Sequence, residues 1–283
     1  MSKTQLLREL ITREQLDITP CCGDPLGAKL IEQAGFPLAF MSGFCVSAQR
    51  LGLPDTGLIS STEMIDQGRN IASAITIPVI GDGDTGFGNA LNIKRLVNAY
   101  ADAGLACIML EDQVSPKRCG HTQGKQVVNR EEAMIRIQAA VDARNEGADI
   151  LILARTDARE SLGLEEAIER GNQFYEIGAD LIFIEAPQST KEMEAICQKG
   201  NGPQMANILE GGKTPILSQD ELQAIGFSIA AYPLTSLMAS ICAIQASLQH
   251  LKNGEPEAAT MPFESLQNIL GFDQYFEQEK RYS

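Results

Sequence analysis

The chain has 283 residues, 44% hydrophobic and 21% charged, which is enough apolar content for a sizeable core and excludes a disordered chain. Its 23 lysines and arginines face 37 aspartates and glutamates, and the formal charge of -14 would repel nucleic acid and anionic membrane surfaces. A small ligand must then be held by local charge.

The opening MSKTQLLREL has no apolar run fit for a signal peptide, and no stretch reaches the roughly 18 apolar residues of a membrane span. Seven cysteines (Cys21, Cys22, Cys45, Cys107, Cys119, Cys197, Cys242) form an odd, scattered set without a CxxC pair, which reads as reduced thiols in a cytoplasmic protein.

In chain order, short apolar runs at Leu38-Met41, Ile77-Gly81, Ala106-Leu110, Ile150-Ala154, Leu181-Ile184, Gln204-Ile208 and Ser228-Ala231 predict strands buried on both faces. A poorer strand precedes them at Asp17-Cys22. Between them, helical patterns run over Asn92-Ala103, Arg130-Glu146, Leu164-Ile177, Gln219-Ile225 and Leu234-Leu251, with glycine after several of their ends. Eight strands each followed by a helix predict a (β/α)8 barrel over 1-283, and an open doubly wound sheet is the alternative. No GxGxxG follows the first strand, which disfavours a dinucleotide fold. Lys252-Pro256 reads as a linker, and 255-283 as a helical tail too apolar to stay solvated, packed on the barrel or on a neighbouring subunit.

Barrel chemistry sits at the carboxyl ends of strands, and polar residues collect there. Ser42-Gly43, Asp82 with Asp84, Glu111-Asp112, Arg155-Thr156-Asp157, Glu185, Asn207 and Tyr232 each follow a predicted strand. Asp82 and Asp84 with Glu111 make an all-oxygen cluster that suits Mg2+, with Mn2+ as a second candidate; a solvated acidic turn is the bland alternative. Residues 113-129 carry Lys117, Arg118 and Lys125 and no acid, and read as a functional loop over the barrel mouth. Cys119 lies between Arg118 and His121, where cations favour a thiolate and suit the thiol to proton transfer. Arg155 suits a carboxylate clamp or an ion pair with Glu185 or Asp157.

The phrases MSGF and LGLPDTG, GDGDTGFGN, LEDQVSPKRCGHTQGKQVV, ARTDARE, FIEAP, ANILEGGKTP and YPLTSL run in order across nearly the whole chain. In them it resembles the isocitrate lyase/phosphoenolpyruvate mutase superfamily, and within it the branch of 2,3-dimethylmalate lyase and the petal death protein. The resemblance implies a barrel whose last helix is exchanged between subunits of a homotetramer. It implies Mg2+ near Asp82 and Asp84, with Glu111 around its waters and Asp55 behind. Ser42, Gly43 and Phe44 would bind an oxoacid partly through backbone amides, Arg155 and Glu185 would line that side, and Asn207 would take the other carboxylate; Tyr232, after the last predicted strand, is a further candidate for substrate binding. Lys117, Cys119, Gly120 and His121 would sit on the gating loop, with the thiol protonating the carbanion of the released acid.

Two departures bear on the reaction. Gly23 stands where the family has a tyrosine assigned to the substrate hydroxyl, and Met238 stands near the place of an arginine that reads a third carboxylate. The expectation is a carbon-carbon lyase cleaving a substituted malate to an oxoacid, expected to be pyruvate, and a second carboxylic acid. Oxaloacetate decarboxylase or carboxyphosphonoenolpyruvate mutase-like chemistry, and a non-catalytic oxoacid-binding barrel, are the alternatives.

Overall fold

Runs of aliphatic residues too short for helices form eight strands, all largely buried. They are β1 (Asp17–Cys22), β2 (Ala39–Met41), β3 (Val79–Asp82), β4 (Cys107–Glu111), β5 (Leu151–Thr156), β6 (Leu181–Ile184), β7 (Gln204–Asn207) and β8 (Ile229–Tyr232). Each pairs in parallel with the next, and β8 returns to β1 with Ala231 opposite Thr19. The sheet is therefore a closed (β/α)8 barrel, and the open alternative is excluded. This computed structural model describes all residues except 121–123 and 257–259.

Strand periodicity decides what the barrel encloses. Side chains alternate between the interior and the helix layer. Phe40, Ile80, Met109, Leu153, Phe183, Met205 and Ala231 share one inner cluster, whereas Ile108, Ile152 and Ala154 pack outward against helices. Two residues beyond an inward apolar residue, the same parity delivers Ser42, Asp82, Glu111, Arg155, Glu185 and Asn207 to the barrel's carboxyl end. The apolar wall and the polar crown follow from one alternation.

The opposite end is plugged by the helix Lys3–Thr12, capped by Ser2 and Gln5 as a reciprocal pair. It inserts Leu7, Leu10 and Ile11 into the inner cluster. Lys3 Nζ ties it down by donating to the carbonyls of Ala72 (2.6 Å) and Ile75 (2.8 Å). Leu7→Ala is expected to cost about 2–5 kcal/mol through the cavity it leaves. Denaturant midpoints should fall accordingly, while ligand binding at the other end holds.

Helix ends fall where the sequence places glycine. The helices Leu164–Ile177 and Gln219–Ile225 stop at Gly178 (φ 119°) and Gly226 (φ 110°), backbone conformations that favour glycine. Asn129 and Ser218 cap the starts of Arg130–Asn145 and Gln219–Ile225.

The chain divides into two compact units, Met1–Thr235 and Ser236–Ser283. The second contains most of the helix Thr235–Asn253 and the helices Phe263–Leu270 and Phe272–Glu279. Ile241, Ile244, Leu248 and Leu251 are exposed at the three- and four-residue spacing of a coiled-coil stripe. Phe276 meets Phe272 and Tyr275 edge to face, ring centroids 5.9 Å apart in each case. Among the described residues, no helix is long and apolar enough to cross a membrane.

Candidate active site

The crown surrounds a cavity lined by residues of several strand ends. Ser42, Phe44, Asp55, Asp82, Arg155, Glu185 and Asn207 contribute, and Lys117, Cys119 and Gly120 reach it from the long segment after β4. Arg118, Leu209, Pro233 and Leu234 also line it, four residues not singled out from sequence as binding groups.

The acidic side is built first from β3. Tyr100 donates its hydroxyl to the Asp82 carbonyl at 2.6 Å and fixes the strand end. The Asp82 carboxylate accepts from the amides of Gly43 (3.0 Å) and Asp84 (3.1 Å). Gly43 is required at this approach, since a Cβ there would lie 2.7 Å from Asp82 Oδ2. Asp84 itself sits in the left-handed region (φ 48°), an uncommon conformation for a non-glycine residue.

Lys117 is the unexpected centre of this group. Its ammonium lies 2.5 Å from Asp55 Oδ1 and 2.9 Å from Asp84 Oδ1, with only 5% of its side chain exposed. Burial alone would lower its pKa, but Asp84, Asp82, Asp55 and Glu111 raise it well above the usual lysine value. Burial, helped by Asp82 and Asp55 and opposed by Lys117, pushes Asp84 up to about 7. Burial likewise holds Glu111 well above the usual carboxyl range despite Arg155.

Arg155 dominates the facing wall. It spans Asp157 (2.9 and 3.0 Å), Glu111 (3.2 Å) and Glu185 (3.0 Å), with its guanidinium carbon 5.3 Å from the centroid of the Phe183 ring. Both ion pairs offered as alternatives to a clamp are thus present. Glu185 also accepts from the Ala186 amide at 2.8 Å. Burial would raise the Asp157 pKa, but Arg155 and Lys125 outweigh it and lower it to about 2. Its share of stability is complete above the ordinary aspartate value near 3.9 and is lost as pH falls towards 2. Relative to wild type, Asp157→Asn should therefore flatten the fall in unfolding free energy below about pH 4, as urea titrations would register.

Behind this wall, Asp112 accepts from Thr156 Oγ1 (2.6 Å), the Asp157 amide (2.9 Å) and Arg170 NH1 (2.9 Å). Arg170 also donates to the Val128 carbonyl at 2.9 Å, joining the end of the loop to the same scaffold. Gln113 receives the Arg118 amide and donates to the Arg118 carbonyl, both at 2.9 Å, and pins the approach to Cys119.

Three expectations need correction or qualification. Tyr232 is not among the cavity-lining residues, because Ala231 takes the inward position and Tyr232 packs against the outer cluster that includes Ala230. The Ser42 and Gly43 amides donate to the Cys22 carbonyl and to Asp82, so a ligand would meet them only in exchange for these bonds. His121 lies outside the described residues. At Gly23, a Cβ would meet Gln49 Oε1 at 2.2 Å and the Cys45 backbone at 2.5 and 2.6 Å, so the turn closes where a larger side chain would stand.

Whether a divalent cation fits can be judged from charge and satisfaction. No three Asp, Glu, His or Cys side chains form a ready metal cage among the described residues. Yet Asp84 Oδ2 and Glu111 Oε1 are buried without a hydrogen-bond partner. Asp55, Asp82, Asp84, Glu111 and Glu185 stand with Lys117, Arg118 and Arg155, five acids to three bases, and the protons that burial leaves on Asp84 and Glu111 are ones a cation would displace. Orphaned hard oxygens in a negative, partly open site suit Mg2+, which keeps waters and takes one or two carboxylates. The residues fit.

These features define a (β/α)8 barrel with a charged cavity at the carboxyl ends of its strands, the place where barrel enzymes carry their chemistry. A phosphoenolpyruvate phosphomutase family model matches residues 7–252. The chain is 42% identical to 2,3-dimethylmalate lyase of Eubacterium barkeri, covering 100% of this chain and 99% of that one. It is 43% identical to the chloroplastic carboxyvinyl-carboxyphosphonate phosphorylmutase of Arabidopsis thaliana, over 97% and 83%. Among solved structures, oxaloacetate acetylhydrolase with 3,3-difluorooxalacetate superposes with a TM-score of 0.95 at 33% identity, over 99% and 97%. Phosphonopyruvate hydrolase with oxalate and Mg2+ does so with 0.89 at 32%, over 100% and 99%. The chain belongs to the phosphoenolpyruvate mutase/isocitrate lyase superfamily and is an enzyme of it.

Proposed function

We propose that the chain is a Mg2+-dependent carbon-carbon lyase acting on a substituted malate or similar 2-hydroxydicarboxylate. Its products are an oxoacid, pyruvate, and a second carboxylic acid, with Cys119 as general acid. The observation that carries this reading is a thiol in the wall of a cavity that also holds Arg155 and a cluster of under-neutralised carboxylates.

A dianion with its reacting bond beside a carboxylate needs positive charge at both ends before electrons can move. Arg155 would meet one carboxylate through its Nη1 donors, its Nε and Nη2 being held in orientation by Asp157, Glu111 and Glu185. A cation held by Asp82, Asp84 and Glu111 would supply charge at the oxygens of the oxoacid moiety. Asn207 and Arg118 line the same cavity and serve the second carboxylate. Cleavage of the C2-C3 bond leaves its electron pair on the departing acid, and Cys119 gives that carbon a proton. The hydroxyl proton goes to a base other than residue 23, where glycine offers none.

Support for the metal comes from the orphaned Asp84 and Glu111 oxygens and from the Mg2+ named in the phosphonopyruvate hydrolase structure. The 2,3-dimethylmalate lyase relative favours a branched malate. A mutase reading is favoured by the 43% identity to a phosphorylmutase. A panel of 2-hydroxydicarboxylates, assayed for pyruvate and glyoxylate, decides between them. We expect pyruvate from at least one member and none after chelation; release from no member would sink the lyase. The exposed stripe from Ile241 to Leu251 supports subunit association, and we propose a homotetramer with an exchanged last helix. Sedimentation as a monomer would refute that.

A further inference from the structure

We propose that Lys125 and Asp157 form a positioning pair that seats the Cys119–Gly120 segment on the arginine wall. The thiol is thereby set in register with an anion held at Arg155. This rests on the lyase reading and assigns it two residues that act through Gly120 and Arg155 rather than on the substrate.

Lys125 is buried, with 1% of its side chain exposed. Its ammonium donates to the Gly120 carbonyl at 2.6 Å and lies 2.8 Å from Asp157 Oδ1 and 3.3 Å from Glu160 Oε2. The same Asp157 carboxylate accepts two bonds from Arg155. One buried acid thus joins the arginine wall to the segment that carries the thiol. Gly120 shows how closely the two are fitted. A Cβ there would lie 2.2 Å from Glu185 Oε2 and 2.5 Å from Arg155 NH2, so its backbone rests on that ion pair.

Stability alone does not call for this arrangement. Burying an ammonium costs several kcal/mol, and well-packed apolar replacements of buried ion pairs are often neutral or stabilising. What the charge adds is direction. It fixes the Gly120 carbonyl, and through it the neighbouring Cys119, relative to Arg155. Asp157 is itself immobilised by the hydrogen bond its backbone amide donates to Asp112, which Thr156 and Arg170 hold in turn. A proton donor misplaced by about 1 Å can cost about 10²-fold in rate.

The test compares Lys125→Met, Lys125→Gln and Lys125→Arg with the wild type, using Mg2+ with oxalate as the probe ligand. Five quantities are read: kcat and KM for pyruvate release, oxalate affinity by calorimetry, the thermal midpoint, and the iodoacetamide alkylation rate of Cys119 resolved by peptide mass mapping. In the wild type, oxalate should slow alkylation of Cys119. In Lys125→Met, kcat should fall about 10²-fold, KM and oxalate affinity should hold, and oxalate should no longer protect the thiol. Lys125→Gln, which keeps a donor for the Gly120 carbonyl, should recover part of kcat and of the protection. A purely structural lysine would instead lower the thermal midpoint and move KM and oxalate affinity together with kcat, and that result overturns the proposal. So does protection in Lys125→Met equal to that of the wild type, or a wild-type thiol indifferent to oxalate. If the wild type cleaves no hydroxy acid, the lyase reading fails while the alkylation comparison still decides the positioning role. Should Lys125→Met fail to fold, the glutamine and arginine variants supply the same comparison.

Discussion

Cys119→Ser is expected to lower turnover by about 10²–10⁴-fold, the range for losing a positioned general acid, while Mg2+ and oxalate bind as before. Serine is nearly isosteric, so the cavity lined by Cys119, Gly120, Arg155 and Glu185 should keep its shape. The hydroxyl is a far poorer proton donor at neutral pH than the thiol, and the loss should fall on kcat. Pyruvate release and oxalate calorimetry on the same preparation separate the two quantities. Unchanged turnover would remove the sulfur from the chemistry, and joint loss of binding would make it a packing residue.

Arg155→Met should cut kcat/KM by about 10²–10³-fold, the cost of removing one oriented electrostatic donor, and should weaken oxalate binding in step. Its guanidinium is shared by Asp157, Glu111 and Glu185, so its loss leaves Glu111 and Glu185 without that cation in a buried wall. Breaking such a buried arrangement costs about 3–5 kcal/mol of stability, visible as a lower unfolding midpoint. Arg155→Lys should rescue little, because one ammonium cannot reproduce the planar fork that reaches three carboxylates. Full activity in the lysine variant would mean that charge alone, without geometry, serves at this position.

The barrel was legible in sequence because each strand is a short, continuous apolar run. Asp17–Cys22 and Leu181–Ile184 begin and end where the pattern places them, and others shift by one or two residues at an end. Most crown residues were legible for the same reason, since a polar residue closing such a run has few other places to go. Tyr232 departs from the pattern because a place at a strand's end does not fix parity; one residue further, Pro233 lines the cavity. The charge pairing was not legible. Lys117 read as a loop cation, yet it sits between Asp55 and Asp84, 62 and 33 residues earlier in the chain. Arg170 reaches Asp112 across 58 residues, and Lys125 reaches Asp157 across 32. Pairing of neighbouring parallel strands brings such partners together, and no local spacing announces it.

If the site takes the proposed divalent ion, Lys117 has a bearing on what holds it together before that ion arrives. An ammonium standing between Asp55 and Asp84 restrains the mutual repulsion of the acidic residues when no divalent ion is at hand. Stripping with a chelator should then leave an intact, dormant protein that regains activity on adding magnesium, with no refolding step. On the proposed metal-dependent reading, the tethered cation would act as a placeholder for that ion.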